Sequence, residues 1–232
     1  MRLYYFRHAQ SCNNHRWDQT ESSDGREPDP ELTEFGHRQL SLLAACMQQN
    51  DPCLDPTGEP LGITHLYTSL MIRAVETGMA ISNALNIPLV AWPDLHERGG
   101  MWDFDEDGNR VGVAGPGRSF FETRFPDLIL PDELGERGWW DRPKEDVDEV
   151  SQRARRILNH LHAAHGDDDR VAVVAHGGLY NSLLRVLLEI ETDTRFWIEL
   201  NNTAVSRIDF DDEGFRLVYS NHTGHIPPDL IT

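Results

Sequence analysis

The sequence predicts an α/β protein with a mostly parallel central sheet, on three observations. Short apolar runs alternate with stretches of helical period, which is the pattern of strand–helix–strand units. The run Val171 to Ala175 is apolar at every position, as a strand covered on both faces requires. Basic residues stand where strands end: Arg7–His8, His176–Gly177, and Arg73 just beyond Thr68.

Taken in order, Leu3 to Phe6 reads as a short buried strand. Residues 13–31 are polar and contain Gly25, Pro28 and Pro30, so a long loop is expected. Thr33 can cap a helix running to about Gln49, with Leu40, Leu43, Ala44 and Met47 on one face. Thr64 to Thr68 is a strand, and Met71 to Leu85 a helix that Asn86 and Pro88 terminate. Leu89 to Trp92 is a third strand. Residues 98–145 are rich in Gly, Pro, Trp and charge and have little periodicity. Val147, Val150, Ala154, Ile157, Leu158 and Leu161 then mark an amphipathic helix, with Gly166 past its end. After the central strand, a helix is expected from about Leu179 to Leu188. Two late strands, Thr203 to Phe210 and Arg216 to Ser220, flank a turn at residues 212–214.

The 232 residues suit one large domain, and a hydrophobic fraction of 39% is ample for a core. The formal net charge of -18 disfavours nucleic acid and anionic membrane surfaces, both of which need a basic footprint. It leaves room for a small anionic substrate, because a few arginines can reverse the potential inside a cleft. Lys144 is the only lysine, so arginine supplies nearly all the positive charge. Cys12, Cys46 and Cys53 show no CxxC spacing, so a disulfide scaffold is not expected and a reduced, cytoplasmic setting is. No signal peptide precedes the first strand, and no apolar run has the length of a bilayer span. The sequence sets no oligomeric state.

In parallel sheets, ligands bind beyond the carboxyl ends of the strands, where strand order reverses. Arg7, His8, Arg73 and His176 are therefore expected to meet on one sheet edge. Two guanidinium forks and two imidazoles would trap a dianion such as a phosphoryl group. A histidine with one ring nitrogen fixed by a hydrogen bond can attack phosphorus with the other. The remaining cationic and imidazole groups would stabilise the charge of the transferring group. The leaving alkoxide needs a proton, and Glu97 in "DLHERGG", just after the third strand, is placed to supply it.

Three other patterns have ordinary readings. "DFDEDGNR" imitates a calcium loop at Asp103, Asp105, Asp107 and Gly108, but the closing glutamate is replaced by Ala114, so a solvated acidic turn is expected. "HLHAAH" puts His162 and His165 on one helix face, which permits a metal, although histidines also suit a helix C-terminus electrostatically. Trp139–Trp140 reads as a hydrophobic anchor.

"RHAQSCNN" resembles the RHGES…N signature of the histidine phosphatase superfamily, in its phosphoglycerate-mutase-like branch. "DPELTEFGHRQL" is similar to that family's D-x-x-L-T-x-x-G-x-x-Q segment at Asp29, Leu32, Thr33, Gly36 and Gln39. "TSLMIRAVETG", "VVAHGGLYNSLL", "NNTAVSRIDF" and "NHTGHI" resemble its further blocks, so the likeness spans nearly the whole chain. The resemblance implies a three-layer α/β/α sandwich and a single phosphatase domain over residues 1–232, with cap insertions at about 13–31 and 98–145. It implies that His8 is the residue phosphorylated, that Arg7, Arg73 and His176 hold the phosphoryl group, and that Glu97 is the acid/base. Asn14, Ser11, Gln10 and Gly177 would contact substrate. Ala9 and Gln10 depart from the usual glycine and glutamate. The expected function is hydrolysis of a small phosphorylated metabolite without metal or other cofactor. A cofactor-dependent phosphoglycerate mutase using the same phosphohistidine is the alternative, and a catalytically weak regulatory or binding module a lesser one.

Overall fold

The computed structural model describes residues 1–49, 52–140, 142–191 and 193–232. Its elements run β1 (Arg2–Arg7), α1 (Cys12–Thr20), α2 (Glu34–Gln49), β2 (His65–Thr68), α3 (Ile72–Leu85), β3 (Leu89–Ala91), β4 (Trp102–Phe104), β5 (Arg110–Gly112), α4 (Arg118–Arg124), β6 (Leu128–Ile129), α5 (Val147–Ala164), β7 (Arg170–Ala175), α6 (Gly177–Leu187), β8 (Val205–Asp211) and β9 (Gly214–His222). Seven strands form the main sheet in the order β6-β3-β2-β7-β1-β8-β9. The five from β6 to β1 are parallel, and β8 and β9 are antiparallel. The wholly apolar run is β7, the middle strand, as its composition requires.

Side-chain alternation along the strands builds two cores. From β1, Tyr4 and Phe6 join Leu43, Val75 and Ile81 of α2 and α3 on one face. Leu3 and Tyr5 join Ala154, Ile157, Leu161, Leu179 and Leu183 of α5 and α6 on the other. The result is the expected sandwich of helices, sheet and helices. Each fully buried aliphatic or aromatic side chain contributes about 1.5–3 kcal/mol relative to exposure, so the two helical layers hold the sheet from both sides.

The chain differs from its sequence reading in two places. Residues 13–31 begin with helix α1 rather than loop. Ser11 and Asn14 form a reciprocal capping box at its start, and the helix ends at Glu21 with φ 49°. No residue of α1 is buried, so it lacks the apolar stripe by which helices are recognised. Residues 98–145 carry the β4–β5 hairpin, α4 and β6, and β6 extends the main sheet beside β3. A two-residue strand leaves no readable period. Trp140 packs with Met71 and Met101, the anchoring role expected of it.

The acidic sequence at 103–108 spans the end of β4 and the hairpin turn that follows it. The Asp105 carboxylate accepts backbone N–H bonds from Asp107 at 3.0 Å and Asn109 at 2.8 Å, so it fastens the turn. The histidines near the end of α5 part company. His160 packs on Trp92 and His162 on Phe210, while His165 faces His65. The shared face of His162 and His165 therefore makes no joint site. Among the described residues, no helix is long and apolar enough to cross a membrane.

Candidate active site

Strand register brings the predicted residues together. β1 and β7 run parallel with Arg7 paired to Ala175, so the residues that follow each strand emerge side by side. The His8 amide donates to the Ala175 carbonyl at 3.0 Å. The His8 and His176 rings lie 5.1 Å apart between centroids. β2 flanks β7 on its other side, and α3 after it delivers Arg73 from its first turn. These strand ends open into a cleft of about 600 Å³ whose walls include Arg7, His8, Arg73, Glu97 and Gly177.

His8 is set up as a nucleophile. Its Nδ1 lies 2.7 Å from the Ala9 carbonyl, an acceptor only, so Nδ1 carries the proton. Nε2 then keeps its lone pair and receives a hydrogen bond from Arg73 Nε at 3.1 Å. Burial, then the charges of Arg73 and Arg7, push the His8 imidazolium well below the ordinary histidine range, so the ring is neutral. Burial and Arg73 do the same to His176. Neither ring nitrogen of His176 has a hydrogen-bond partner among the described residues. Its backbone is held from both sides by Tyr5, whose hydroxyl donates to the His176 carbonyl at 2.7 Å and accepts from its amide at 3.1 Å.

The two arginines have defined orientations, Arg73 buried and Arg7 half-buried. Arg73 donates to Asp29 at 3.4 Å, and Asp29 also accepts from the Ile72 amide at 3.1 Å. Burial raises the Asp29 carboxyl to about 6 despite Arg73. Arg7 donates to the Leu200 carbonyl, and its Nε has no partner among the described residues.

Glu97 sits opposite, at the start of α6. Its carboxylate accepts from the amides of Gly178 at 3.1 Å, Leu179 at 3.0 Å and Arg98 at 2.6 Å. A helix N-terminus is the natural seat of a carboxylate. A Cβ on residue 178 would stand 2.3 Å from Glu97 Oε1, so the glycine lets the carboxylate keep this seat. The loop carrying Glu97 is clamped from behind by a buried pair. Arg153 donates to both oxygens of Glu145, at 2.7 and 2.6 Å, and to the carbonyls of Asp94 and His96 at 2.6 and 2.9 Å.

The other predicted contacts divide. Asn14, Ser11 and Gly177 line the cleft. Asn14 Oδ1 accepts from the Ser11 amide and hydroxyl at 3.1 and 2.9 Å and from Asn202 at 3.3 Å. Gln10 does not reach the cleft. Its Oε1 instead accepts from the Thr33 hydroxyl at 2.7 Å. Its amide and carbonyl are bound by Gln39 and Thr33, at 2.8 and 3.0 Å. Gly36 lies so close that a Cβ would stand 2.2 Å from the Gln10 carbonyl oxygen. The segment from Asp29 to Gln39 is thus the brace of the His8 loop. Ala9 is fully buried against Leu32 and Leu40 and has no positive φ, so its methyl is accommodated without strain.

Several site residues were not singled out from sequence. Asn202 donates to the His8 carbonyl at 2.8 Å, and Trp17, Asp18, Trp197 and Glu199 line the cleft. None of the described residues of 98–145 lines it, so the walls come from α1 and the segment before β8. Asn202 stands in the quoted "NNTAVSRIDF", and its pairing with residue 8 is a tertiary fact that spacing does not encode.

Comparison with known proteins extends the picture. The sequence model of the histidine phosphatase superfamily (branch 1) matches residues 3–106 and 117–223. A protein of Hydrogenobacter thermophilus named "Putative phosphoserine phosphatase 2" is 26% identical over 233 residues, covering 97% of each chain. A Yersinia enterocolitica protein named "Probable phosphoglycerate mutase GpmB" is 24% identical over 240 residues, covering 97% of this chain and 95% of that one. A solved mycobacterial glucosyl-3-phosphoglycerate phosphatase complexed with VO3 superposes with a TM-score of 0.59 at 18% identity, over 96% of this chain and 99% of that chain. This last likeness is one of fold.

Proposed function

The chain belongs to the histidine phosphatase superfamily (branch 1), and from that premise we propose that it is a phosphomonoester hydrolase acting through phosphohistidine at His8. One observation carries the reading: a neutral, buried imidazole presents Nε2 to the cleft beside Arg73, with its tautomer set by the Ala9 carbonyl. In the first step His8 Nε2 bonds to phosphorus while the ester P–O bond breaks. Glu97, in its protonated form, gives the leaving oxygen its proton. Arg7 and Arg73 neutralise the equatorial oxygens, and the neutral His176 donates a hydrogen bond to them. In the second step Glu97 takes a proton from water, whose oxygen bonds to phosphorus as the P–N bond breaks. His8 is regenerated with its lone pair. No step calls on a metal, because the arginines supply the charge.

The substrate is a small phosphorylated metabolite. The cleft rim carries Asp18 and Glu199, which oppose a second anionic group on it. Residues 1–232 act as a single domain, in the cytoplasm according to the cysteine pattern. The test is rapid quenching after exposure to radiolabelled substrate. An acid-labile, base-stable phosphoprotein is expected from the wild type and none from His8→Ala. A base-stable label surviving in His8→Ala would move the nucleophile elsewhere.

A further inference from the structure

At the opposite edge of the sheet, where β2 and β7 begin, His65, His165 and Asp169 converge. We propose that these three residues form a zinc-type divalent-cation site that ties the start of β2 to the turn between α5 and β7. His165 Nδ1 and His65 Nδ1 stand 3.5 and 3.7 Å from the two Asp169 oxygens. One donor atom from each residue lies within 4.8 Å of the others. A tetrahedral zinc with bonds of about 2.0–2.1 Å separates its donors by about 3.3 Å, so closure takes shifts of an ångström or so.

The buried member is prepared for this. The His165 side chain is only 2% exposed, and its Nδ1 has no hydrogen-bond partner among the described residues. A metal bond would give that buried nitrogen the partner it lacks. His165 Nε2 lies 3.1 Å from the Tyr67 hydroxyl. With Nε2–H donating to that oxygen, Nδ1 keeps the lone pair, which is how ligating histidines are oriented.

The exposed members can follow. His65 Nδ1 lies 2.9 Å from Thr64 Oγ1, but that hydroxyl also reaches the Arg170 carbonyl at 3.2 Å. Releasing His65 therefore leaves Thr64 bonded. The Gly166 amide donates to Asp169 Oδ2 at 2.9 Å, which fixes the carboxylate in its turn. Two imidazoles and a carboxylate suit zinc better than magnesium or calcium, which prefer oxygen. The fourth position opens outward, since His65 and Asp169 are 42% and 29% exposed. The residues come from the strand starts, not the strand ends that hold His8, so the role is to brace the fold.

The experiment uses the full chain stripped with a chelator, with Zn2+ or Mg2+ added back. Calorimetry and thermal melts are followed for the wild type, His65→Ala, Asp169→Asn and His162→Ala. The wild type and His162→Ala should bind one Zn2+ in preference to Mg2+ and melt at higher temperature with it. Both ligand variants should match the wild-type melt without metal, lose roughly tenfold or more in affinity, and keep phosphatase activity. Zinc binding and stabilisation unchanged in His65→Ala and Asp169→Asn would place the ion elsewhere and overturn the proposal. No zinc effect on the wild type would overturn it equally.

Discussion

Arg73 Nε donates to His8 Nε2 across 3.1 Å, so one guanidinium both orients the imidazole and faces the same cleft. Its other nitrogens are held by Asp29 and the Met71 sulfur, at 3.4 and 3.1 Å. A lysine would keep the charge and lose this fork. Arg73→Lys should lower kcat for nitrophenyl phosphate by about 10²–10³-fold, with a smaller change in KM. Steady-state kinetics decide it. A Lys variant with wild-type kcat would show that charge alone is what the site uses.

Glu97→Gln removes the transferable proton and keeps the contacts of one oxygen with the Leu179 and Arg98 amides, while its amide nitrogen cannot accept from Gly178. The loss should depend on the leaving group. Alkyl phosphates, whose alkoxides need protonation, should slow by about 10²–10⁴-fold, and nitrophenyl phosphate far less. Equal losses on both would assign the proton to another acid. Glu122 is exposed and paired with Arg118 at 3.3 Å, outside the cleft lining, so it is not placed to be that acid.

What the sequence disclosed follows the physics that sequence encodes. Apolar periodicity marked β7 and the helices α2, α3 and α5 because their faces are buried. Residues just past strand ends marked Arg7, His8, Arg73 and His176 because parallel register brings those ends level. Helix α1 was hidden because it buries nothing, and β6 because two residues carry no period. Gln10 stands in the signature, yet its side chain serves Thr33; adjacency to His8 in sequence does not fix side-chain direction. Arg153 was hidden for another reason. It interrupts the apolar face of α5 as an ordinary arginine, and only the fold reveals Glu145 beside it.

That buried pair yields a prediction. The Arg153 and Glu145 side chains are 0% and 3% exposed, so removing the cation leaves an uncompensated carboxylate in the interior. Arg153→Leu should cost about 3–5 kcal/mol, and the double variant with Glu145→Leu should recover much of it. Urea unfolding of the three proteins measures this. Equal stability of the single and double variants would mean that Glu145 is not held as a buried anion.

Stability should fall as the solution is acidified below neutrality. His8, His96 and His176 are driven well below the ordinary value by burial, and His225 is lowered to about 4 by burial and then His222. Each is neutral when folded and takes a proton on unfolding below pH 6.5, so its contribution is complete above 6.5 and is lost as pH falls. Asp29 acts in the opposite sense. Raised from 3.8 to about 6, it holds a proton when folded that the unfolded chain has released, so its contribution grows as pH falls from about 6 to 3.8. At ~1.4 kcal/mol per unit, His225 and Asp29 each amount to roughly 3 kcal/mol and nearly cancel, leaving the other three histidines to decide the sign. Urea midpoints should be level above pH 7 and fall from 6.5 to 5. A level profile down to pH 5 would mean the histidines are charged in the fold.

Hydrolysis should prevail over mutase exchange, although a relative named as a mutase covers the chain as fully as one named as a phosphatase. A mutase must hold the substrate carboxylate while the phosphoryl group moves, and that calls for a cation away from His8. The arginines lining the cleft are Arg7 and Arg73, both at the phosphoryl end, and the rim carries Asp18 and Glu199. Arg110, Arg118 and Arg124 are engaged elsewhere. Arg110 lies over Trp102, Arg118 donates to the carbonyls of Leu134 and Pro131, and Arg124 pairs with Glu31 and Glu76. Arg98, beside Glu97, lies over the Trp197 ring. A diphosphorylated or carboxylated ligand would thus meet carboxylates where a mutase needs an arginine, a penalty that grows as the cleft excludes water. Incubated with 3-phosphoglycerate and 2,3-bisphosphoglycerate, the protein should release free phosphate and form little 2-phosphoglycerate. Rapid isomer exchange with little phosphate released would show that the rim holds a carboxylate after all, and the mutase would then be the activity of this site.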